Sequence, residues 1–448
     1  MSPLNSRSGG VPPAAHSRFG VQLGVVVALA AIVRVLVVVL VDPQVPPVGD
    51  ASAYHLLANH LADGRGYIRP FDFTKFHLVV PTAEYPPFHP FVLSIFARLG
   101  ARSVEAQRIG LTVIGCATVA LVGLVGRQIA GTRVAIVAAG LAAISPMMFL
   151  PEATLMSEAI FVFLVALALF LAGRIRNNPN LRAFAVLGLV LGLAVLTRAE
   201  AGVLSLLLVV PLTVGATGAS GQRRLALGAV ALAMVGAVVI PWAVRNQTTF
   251  HAFVPVSNNL GTALAGANCE LTYQGTGLGS WRSTFGVGDV ANGQCFTGFN
   301  GRQPHFNEAT AAGAARKKGI DFARDHLGDL PKVAAARLLR SAGLFRPGQQ
   351  IKLEALEGRP IAWERAGTYL DWILYPFAIL GLFLLLRRRV GAWPLAAAVV
   401  SVLVSTLVTY GNQRFRIGAE PTILIGAAAG IIALTSRKRG EHPETLPA

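Results

Sequence analysis

Long runs of apolar residues, separated by short polar stretches, recur along most of this chain. Many of the runs approach twenty residues, the length that an α-helix needs to cross the hydrocarbon core of a bilayer. The pattern predicts an all-α polytopic membrane protein with about ten transmembrane helices. The predicted spans are 20–41, 109–125, 134–150, 154–171, 183–196, 201–214, 225–243, 372–386, 390–409 and 423–434.

The short loops between these spans indicate which side of the membrane each one faces. Arginine clusters occur at every second loop and near both ends of the chain. Because cytoplasmic loops carry an excess of positive charge, both termini are predicted to be cytoplasmic, in a multi-pass protein of the cell (plasma) membrane. The clusters are Arg7 with Arg18, Arg127 with Arg133, Arg174 with Arg176 and Arg182, Arg223 with Arg224, Arg387–Arg389, and Arg437-Lys438-Arg439.

Two longer segments are left on the extracytoplasmic side, and both are expected to be structured. In the first of them, residues 52–62 and 87–99 predict short amphipathic helices along the membrane surface. The predicted organisation is a disordered cytoplasmic leader (1–19), a transmembrane core (20–245) that includes the first extracytoplasmic loop (42–107), a large extracytoplasmic loop domain (246–369), C-terminal transmembrane helices (370–436) and a cytoplasmic tail (437–448).

The chain has a large positive net charge, but this charge does not alter the prediction of a membrane protein. There are 39 lysines and arginines against 22 aspartates and glutamates, a formal net charge of +17. A nucleic-acid-binding protein has such an excess, but here much of it lies in the loops assigned to the cytoplasm. We therefore interpret it as a topology signal and as contact with membrane lipids, and expect no nucleic-acid partner. With 14% charged residues, the chain is not a soluble enzyme.

Two of the three cysteines, Cys269 and Cys295, fall in the second extracytoplasmic loop. Disulfides persist in that compartment, so we expect the two residues to be joined. The alternative is a pair of free thiols. Cys116 lies in a predicted span and is interpreted as a small apolar filler.

Polar residues whose side chains are able to take part in catalysis or binding lie at the predicted outer ends of the spans. Asp50 follows the first span, with Tyr54 and His55 about one turn later, and either caps a helix or serves as a general base. Further along, Glu84, Tyr85 and His89 belong to a proline-rich stretch that fixes the backbone before a helix begins. That stretch either presents a binding site or forms a solvated turn.

A second set of polar residues belongs to later spans. Glu158 opens the fourth span, either facing a cavity or as a solvated helix start. Arg198 lies at an outer turn, and Arg414 and Arg416 precede the last span. In an extended segment both of these arginines would point the same way and bind one phosphate, since guanidinium matches phosphate oxygens bidentately. Arg34, inside the first span, could extend its charge toward the membrane surface.

In chain order, these motifs resemble those of the GT-C membrane glycosyltransferases, in particular the protein O-mannosyltransferase and aminoarabinose-transferase branch. The resemblance covers most of the chain, and its specificity comes from the order and sidedness of motifs that are individually loose. The matching stretches are Gly49-Asp50 with Tyr54-His55, Tyr85-Pro86-Pro87-Phe88-His89-Pro90, Ser157-Glu158, Leu196-Thr197-Arg198-Ala199-Glu200, Pro241-Trp242-Ala243-Val244-Arg245-Asn246, Phe253-Val254-Pro255-Val256-Ser257 and Arg414-Phe415-Arg416.

The resemblance implies a GT-C fold and a hexosyl- or pentosyltransferase of the cell envelope. Such an enzyme moves a sugar from a polyprenyl-phosphate carrier to an extracytoplasmic acceptor, which can be a protein, a glycan or a lipid. The implied roles are Asp50 as catalytic acid/base, Arg198, Arg414 and Arg416 as phosphate ligands, and Tyr54, His55, Glu84, Tyr85, His89 and Glu158 as further substrate-binding residues.

The sequence departs from the family in one respect that bears on cofactors. The family usually has two adjacent acids in the first loop, whereas this chain has only Asp50, which is followed by Ala51. No cofactor is assigned, and a divalent metal held by Asp50 and Glu158 is left open. A single base predicts inversion at the anomeric carbon, since retention needs a second carboxylate as nucleophile.

Two other classes of function remain open. A polyprenyl-linked lipid flippase or transporter would also bind lipid phosphate, and a scaffold role in envelope-glycan assembly is excluded by no residue. A secondary transporter, however, is expected to have two related halves and polar groups near the bilayer midplane. Here the polar groups gather at the outer side instead.

Overall fold

Helices make up most of the described part of the protein in the computed structural model, which describes residues 13–40, 49–216, 218–282, 295, 306–387 and 391–438. These residues contain no β-strand, which confirms the predicted all-α class. The α-helices are α1 (Pro13–Leu40), α2 (Asp50–Ala62), α3 (Pro70–Phe76), α4 (Phe88–Arg98), α5 (Val104–Ile144), α6 (Pro146–Ala153), α7 (Glu158–Asn177), α8 (Leu181–Thr197), α9 (Ala201–Val214), α10 (Gly221–Phe250), α11 (Asn259–Ala267), α12 (Glu270–Tyr273), α13 (Glu308–Asp325), α14 (Leu330–Ser341), α15 (Pro347–Ala355), α16 (Ile361–Arg387), α17 (Trp393–Val408) and α18 (Glu420–Lys438). The 3-10 helices are η1 (Gly275–Gly277), η2 (Leu327–Asp329) and η3 (Gln413–Ala419).

Six helices of the described chain are long and apolar enough to cross a membrane. Three shorter apolar helices, α8, α9 and α17, accompany them. This set makes the chain a multi-pass membrane protein, while the figure of about ten spans stays a prediction. The six long segments are Arg18–Leu40, Val104–Ile144, Glu158–Asn177, Gly221–Phe250, Ile361–Arg387 and Gln413–Ser436.

Helix α5 contains parts of two predicted spans, because it turns back on itself at Gly131. The φ of 82° and ψ of −179° at Gly131 are not helical, and only glycine adopts them readily. On either side of the turn the two halves of α5 touch. A Cβ at Gly126 would lie 3.2 Å from the Cα of Ala135, and one at Gly123 would lie 3.3 Å from the Cβ of Ala139. The two halves therefore pack as a hairpin.

Some helix ends differ from the sequence-based prediction. Helix α1 begins at Pro13, a residue suited to a first helical turn, so residues 13–19 are helical and not a disordered leader. Residues 1–12 and 439–448, predicted as leader and tail, lie outside the described residues. Helix α10 continues to Phe250 and α16 begins at Ile361. The two short helices predicted in the first outer loop are confirmed as α2 and α4.

The two longer segments that were predicted to be extracytoplasmic are tied together by the buried carboxylate of Glu308, at the start of α13. It accepts hydrogen bonds from the Thr82 hydroxyl at 2.7 Å, the Ala83 amide at 2.8 Å and the Asn258 side chain at 2.9 Å. Arg69 adds an ion pair at 3.1 Å. Several donors thus satisfy one buried charge, which fixes the stretch just before Glu84.

The loop domain also contains the predicted cysteine pair. Cys269 and Cys295 are joined as a disulfide, with their Cα atoms 5.5 Å apart. Nearby, Arg337 of α14 donates to the Ala267 carbonyl and to the side chain of Asn268, both at 2.9 Å. The residue before Cys269 is therefore held against α14.

Arg34 is buried and does not extend to the membrane surface. Its Nε is 3.0 Å from Glu152 Oε2, and the two side chains are 1% and 3% exposed. Its Nη atoms reach the carbonyls of Ala142 and Ala143 at 3.4 and 3.3 Å. These carbonyls belong to the last turn of α5, where no intrahelical donor remains. A carboxylate and a helix end thus offer the guanidinium better partners than the surface does.

Candidate functional site

The guanidinium of Arg414 joins three carboxylates from distant parts of the chain. Its Nε donates to Glu158 Oε1 at 2.6 Å, and its Nη2 donates to Asp50 Oδ2 at 3.0 Å. Its Nη1 lies 3.6 Å from Glu357 Oε1. The Arg414 side chain is 9% exposed, whereas those of Asp50 and Glu357 are 30% and 31% exposed. The cluster is therefore buried on the Arg414 side and open at these two acids.

A second arginine, Arg198, pairs with the same oxygen of Glu158 as Arg414 does. Its Nη1 is 3.1 Å from Glu158 Oε1 and its Nε is 2.5 Å from Glu200 Oε1. The guanidinium carbon also lies over the rings of Phe161 and Phe415, at 5.8 and 5.4 Å from their centroids. Glu158, whose side chain is fully buried, is thus compensated by two guanidinium groups.

Glu158 and Asp50 are placed by helix starts. Glu158 is the first residue of α7 and Asp50 is the first residue of α2. Carboxylates are favoured at these positions because the exposed backbone N–H groups give a helix N-terminus a partial positive charge. Glu158 therefore starts a helix, but it is buried in a charged cluster and is not the solvated helix start that was the alternative.

Three aromatic side chains pack beside Asp50. The ring of Tyr54 meets those of Tyr85 and His89 edge-on, at centroid distances of 5.1 and 4.7 Å. The Tyr54 hydroxyl lies 3.4 Å from the Ser157 hydroxyl, next to Glu158. Burial, with a smaller contribution from the charge of Asp50, raises the pKa of Tyr54. Burial lowers the pKa of His89 to about 4, so its ring is neutral at pH 7.

Two of the predicted site residues make their contacts elsewhere. His55 pairs with Gln107 at 2.9 Å, on the side of α2 that faces α5. Glu84 lies 3.7 Å from Arg69, beside Glu308, and its side chain is one-third exposed. Burial and the charge of Glu308 raise the pKa of Glu84 to about 7.

Arg414 and Arg416 do not lie in the extended segment that their joint binding of one phosphate requires. Their segment is the 3-10 helix η3, and Asn412 caps it by accepting a hydrogen bond from the Arg414 amide at 2.7 Å. With three residues per turn, side chains two positions apart point in different directions. Arg416 instead donates to Glu420 at 2.7 Å and to Asp371, in a buried cluster between α16 and α18.

A divalent metal held by Asp50 and Glu158 does not fit this arrangement. The Arg414 guanidinium lies between the two carboxylates and bonds to one oxygen of each. Divalent cations such as Mg²⁺ need several oxygen ligands around one point. In the described part of the chain, no three His, Cys, Asp or Glu side chains come together in that way. The positive charge between the carboxylates is supplied by the arginine.

Two residues near Arg414 were missed by the sequence analysis. Glu357 is a single acid in a polar stretch after α15 and belongs to no recognisable motif. Tyr410 lies just before the Asn412–Arg416 stretch. Its nearness in sequence to the two arginines is the feature from which it could have been predicted. Burial raises the pKa of Tyr410, the charge of Arg414 opposes that rise, and the charges of Asp50 and Glu357 add to it.

Comparison with known proteins finds a sequence match for part of the chain and structural matches for its fold. Residues 84–243 match the sequence model of the dolichyl-phosphate-mannose-protein mannosyltransferases. No curated protein sequence matches the chain. The sequence match includes Glu84, Tyr85, His89, Glu158 and Arg198, but neither Asp50 nor Arg414.

The fold is similar to that of an archaeal oligosaccharyltransferase from Archaeoglobus fulgidus. The crystal structure of that enzyme with Zn and sulfate has a TM-score of 0.52 and 14% identity, covering 93% of this chain and 50% of that one. Its structure tethered to an acceptor peptide containing the NVT sequon has a TM-score of 0.51 and 14% identity, over 93% and 51% of the two chains. This chain therefore spans about half the length of the oligosaccharyltransferase.

A further match is ArnT from Cupriavidus metallidurans bound to undecaprenyl phosphate. It has a TM-score of 0.42 and 17% identity, over 92% of this chain and 79% of that one. Because the oligosaccharyltransferase is only 14% identical in sequence to this chain, the comparison shows that the two share a fold. The resemblance to GT-C glycosyltransferases and the predicted GT-C type of fold are confirmed.

Proposed function

We propose that this protein is an integral membrane glycosyltransferase that moves a sugar from a polyprenyl-phosphate carrier to an extracytoplasmic acceptor. The observation that carries the proposal is the bridging of Asp50 and Glu158 by Arg414. It puts a partly exposed carboxylate beside a fixed positive charge, next to a region that matches mannosyltransferases. The sugar is a hexose or pentose, and the acceptor is a protein, a glycan or a lipid.

The arginines serve the leaving group. The donor is a phosphodiester with one negative charge, and the leaving polyprenyl phosphate gains a second as its bond to the anomeric carbon breaks. Arg414, whose orientation is fixed by Glu158 and Asp50, stabilises that charge without having to reorganise. Arg198, which pairs with the same Glu158 oxygen, adds a second positive charge nearby.

Asp50 serves the attacking group. Its side chain is 30% exposed, so an acceptor hydroxyl can reach it. The carboxylate takes the hydroxyl proton as the new bond to the anomeric carbon forms. With Asp50 acting as a base in a single displacement, the configuration at that carbon is inverted.

The orientation proposed is a site on the extracytoplasmic side with both termini in the cytoplasm. Helix α7 starts at Glu158 in the site and has Arg174 and Arg176 in its last turn. The arginines of α7 are therefore at the end opposite the site, and the retention of positive charge in the cytoplasm supports the proposed orientation.

The experiment is a turnover assay with the purified protein in lipid nanodiscs. Radiolabelled polyprenyl-phosphate hexoses and pentoses are supplied with membrane-derived acceptors, and the release of polyprenyl phosphate is measured. We expect release by the wild type and by Asp321→Asn, which removes an exposed carboxylate paired with Lys317, but not by Asp50→Asn. Donor that changes leaflet without cleavage would indicate a flippase. Equal release by wild type and Asp50→Asn would refute the role of Asp50.

A further inference from the structure

Of the three carboxylates around Arg414, that of Glu357 lies farthest from the guanidinium. Its Oε1 lies 3.6 Å from Nη1, whereas Glu158 and Asp50 are 2.6 and 3.0 Å from their nitrogens. A hydrogen-bonded N···O pair is about 2.7–3.2 Å apart. Among the described residues, Nη1 therefore has an ionic neighbour but no hydrogen-bond partner. This is the face of the guanidinium at which a further anion can bind.

The backbone around Glu357 is held in place. The Glu357 amide donates to the Glu354 carbonyl at 3.0 Å, and the Arg359 amide donates to the same carbonyl at 3.3 Å. The Arg359 guanidinium is itself buried between Glu354, at 3.9 Å, and Glu364, at 3.2 Å. The turn that carries Glu357 is thus anchored on both sides.

The carboxylate of Glu357 is also packed against Gly49. A Cβ at Gly49 would lie 2.7 Å from Glu357 Oε2, and Gly49 has a φ of +58°, a conformation that glycine adopts readily. Oε2 is buried and makes no hydrogen bond within the described residues. Packing and the anchored turn therefore hold this side chain at the mouth of the cluster, with one carboxylate oxygen unsatisfied.

The cluster contains more acids than bases. Two guanidinium groups meet four carboxylates, so a phosphodiester would add a negative charge to a site that already has an excess of them. Binding an anion there becomes more favourable when one carboxylate takes up a proton. The members are Arg198 and Arg414 with Asp50, Glu158, Glu200 and Glu357.

We propose that Glu357 is part of the phosphate subsite and carries a proton when the phosphate of the donor is bound. This rests on the proposed function, which supplies the phosphate. In the bound state Arg414 Nη1 and the protonated Glu357 carboxyl each donate a hydrogen bond to phosphate oxygens. The proton comes from solvent when the donor binds and returns to solvent when polyprenyl phosphate leaves.

The surroundings of Glu357 favour uptake of that proton near neutral pH. Burial and the charge of Asp50 raise the pKa of Glu357 to about 7, against the opposite effect of Arg414. An anion on Arg414 cancels that opposite effect and raises the pKa of Glu357 further. The charged and titratable groups that face it are Asp50 on α2, Tyr85 before α4, Glu158 on α7, Glu354 on α15, Tyr410 after α17 and Arg414 on η3.

The sign of the pH dependence follows. A state that binds more protons is weakened as the pH rises. Donor affinity should therefore fall as the pH rises above 7, and should be constant well below 7, where Glu357 already carries its proton.

Binding of polyprenyl methyl phosphate to the nanodisc-embedded protein tests the proposal. This diester carries one fixed negative charge between about pH 6 and pH 9, so any pH dependence comes from the protein. We expect the dissociation constant of the wild type to rise about tenfold from about pH 6.5 to about pH 8.5. Glu357→Gln should keep the low-pH value throughout. Calorimetry in two buffers of different ionisation enthalpy should show proton uptake by the wild type at pH 7.5 and none by Glu357→Gln.

Matched variants separate this proposal from its rivals. Glu357→Asp, which keeps an acid at the position, and Asp321→Asn, which removes a distant exposed one, should both keep the pH dependence. Wild-type affinity that is independent of pH, or a dependence that persists in Glu357→Gln and vanishes in Glu84→Gln, would overturn the proposal. Wild type that binds neither this diester nor polyprenyl phosphate at any pH would overturn the proposed function as well.

Discussion

Asp50 and Arg414 are 364 positions apart in the sequence, yet Asp50 Oδ2 accepts a hydrogen bond from Arg414 Nη2 at 3.0 Å. The first residue of α2 and the second residue of η3 thus meet at one point. Because Glu158 holds the Nε of the same guanidinium at 2.6 Å, Arg414 is oriented before any substrate arrives. Such preorganised charge is what lowers the barrier of a reaction in which negative charge develops.

Asp50→Asn should reduce sugar transfer by about hundredfold or more, the usual contribution of a general base. The amide keeps a hydrogen-bond acceptor for Arg414 Nη2 but cannot take up the acceptor's proton. The melting temperature should stay close to that of the wild type, since Asp50 is 30% exposed. Transfer rate and thermal unfolding are measured on the same preparation. Near wild-type turnover would remove Asp50 from the catalytic role.

The two arginines of η3 should respond differently to replacement by lysine. Arg414→Lys keeps the charge but loses the planar fork whose separate nitrogens reach Glu158, Asp50 and the phosphate, so the donor KM should rise about 5- to 150-fold. Arg416 lies with Asp371 and Glu420 in the separate cluster between α16 and α18. Arg416→Lys should therefore lower the melting temperature while leaving the donor KM within about twofold. Donor titrations and thermal unfolding of both variants provide the measurements.

The opposite pattern would reverse this assignment. A raised donor KM in Arg416→Lys at full stability would mean that η3 rearranges when the donor binds. An unchanged KM in Arg414→Lys would leave Arg198 as the better phosphate ligand, because it is the other guanidinium on Glu158.

The helical content could be predicted from the sequence because apolar length and periodicity determine it. Helices α2 and α4 were found from short amphipathic patterns in polar surroundings. The hairpin within α5 was marked only by two apolar runs, and its sharpness depends on the backbone of Gly131, which composition does not reveal. Helix α10 passes its predicted end because polar residues at the end of a span can continue a helix as well as leave it.

Part of the site could also be predicted, because charged residues at the ends of spans are costly unless they have partners. Asp50, Glu158, Arg198 and Arg414 were selected on this ground and lie together. Arg416 met the same criterion but serves another ion pair, since the direction of its side chain depends on the η3 backbone. Glu357 did not meet it, because a single acid in a polar loop looks solvated until the fold brings Gly49 and Arg414 beside it.

The disulfide between Cys269 and Cys295 should be present in protein isolated from its native membrane. Intact mass after alkylation, with and without reductant, reports it directly. Replacing both cysteines by serine should lower the free energy of unfolding by about 3.5 kcal/mol, the value expected for a loop closed over 26 positions. Two thiols that alkylate without reduction would show that the bond does not form in the cell.

The last prediction concerns Arg34 and Glu152, which lie 3.0 Å apart in the helical core. Arg34→Met leaves the Glu152 carboxylate buried without its cation, so it should cost about 3–5 kcal/mol of stability. The double variant Arg34→Met with Glu152→Leu removes both charges and should cost clearly less than the Arg34 replacement alone. A double-mutant cycle on the free energy of unfolding measures this coupling. If the two single costs simply add, the pair is not the device that secures α1 to α6, and the contacts of Arg34 with the end of α5 become the main contribution.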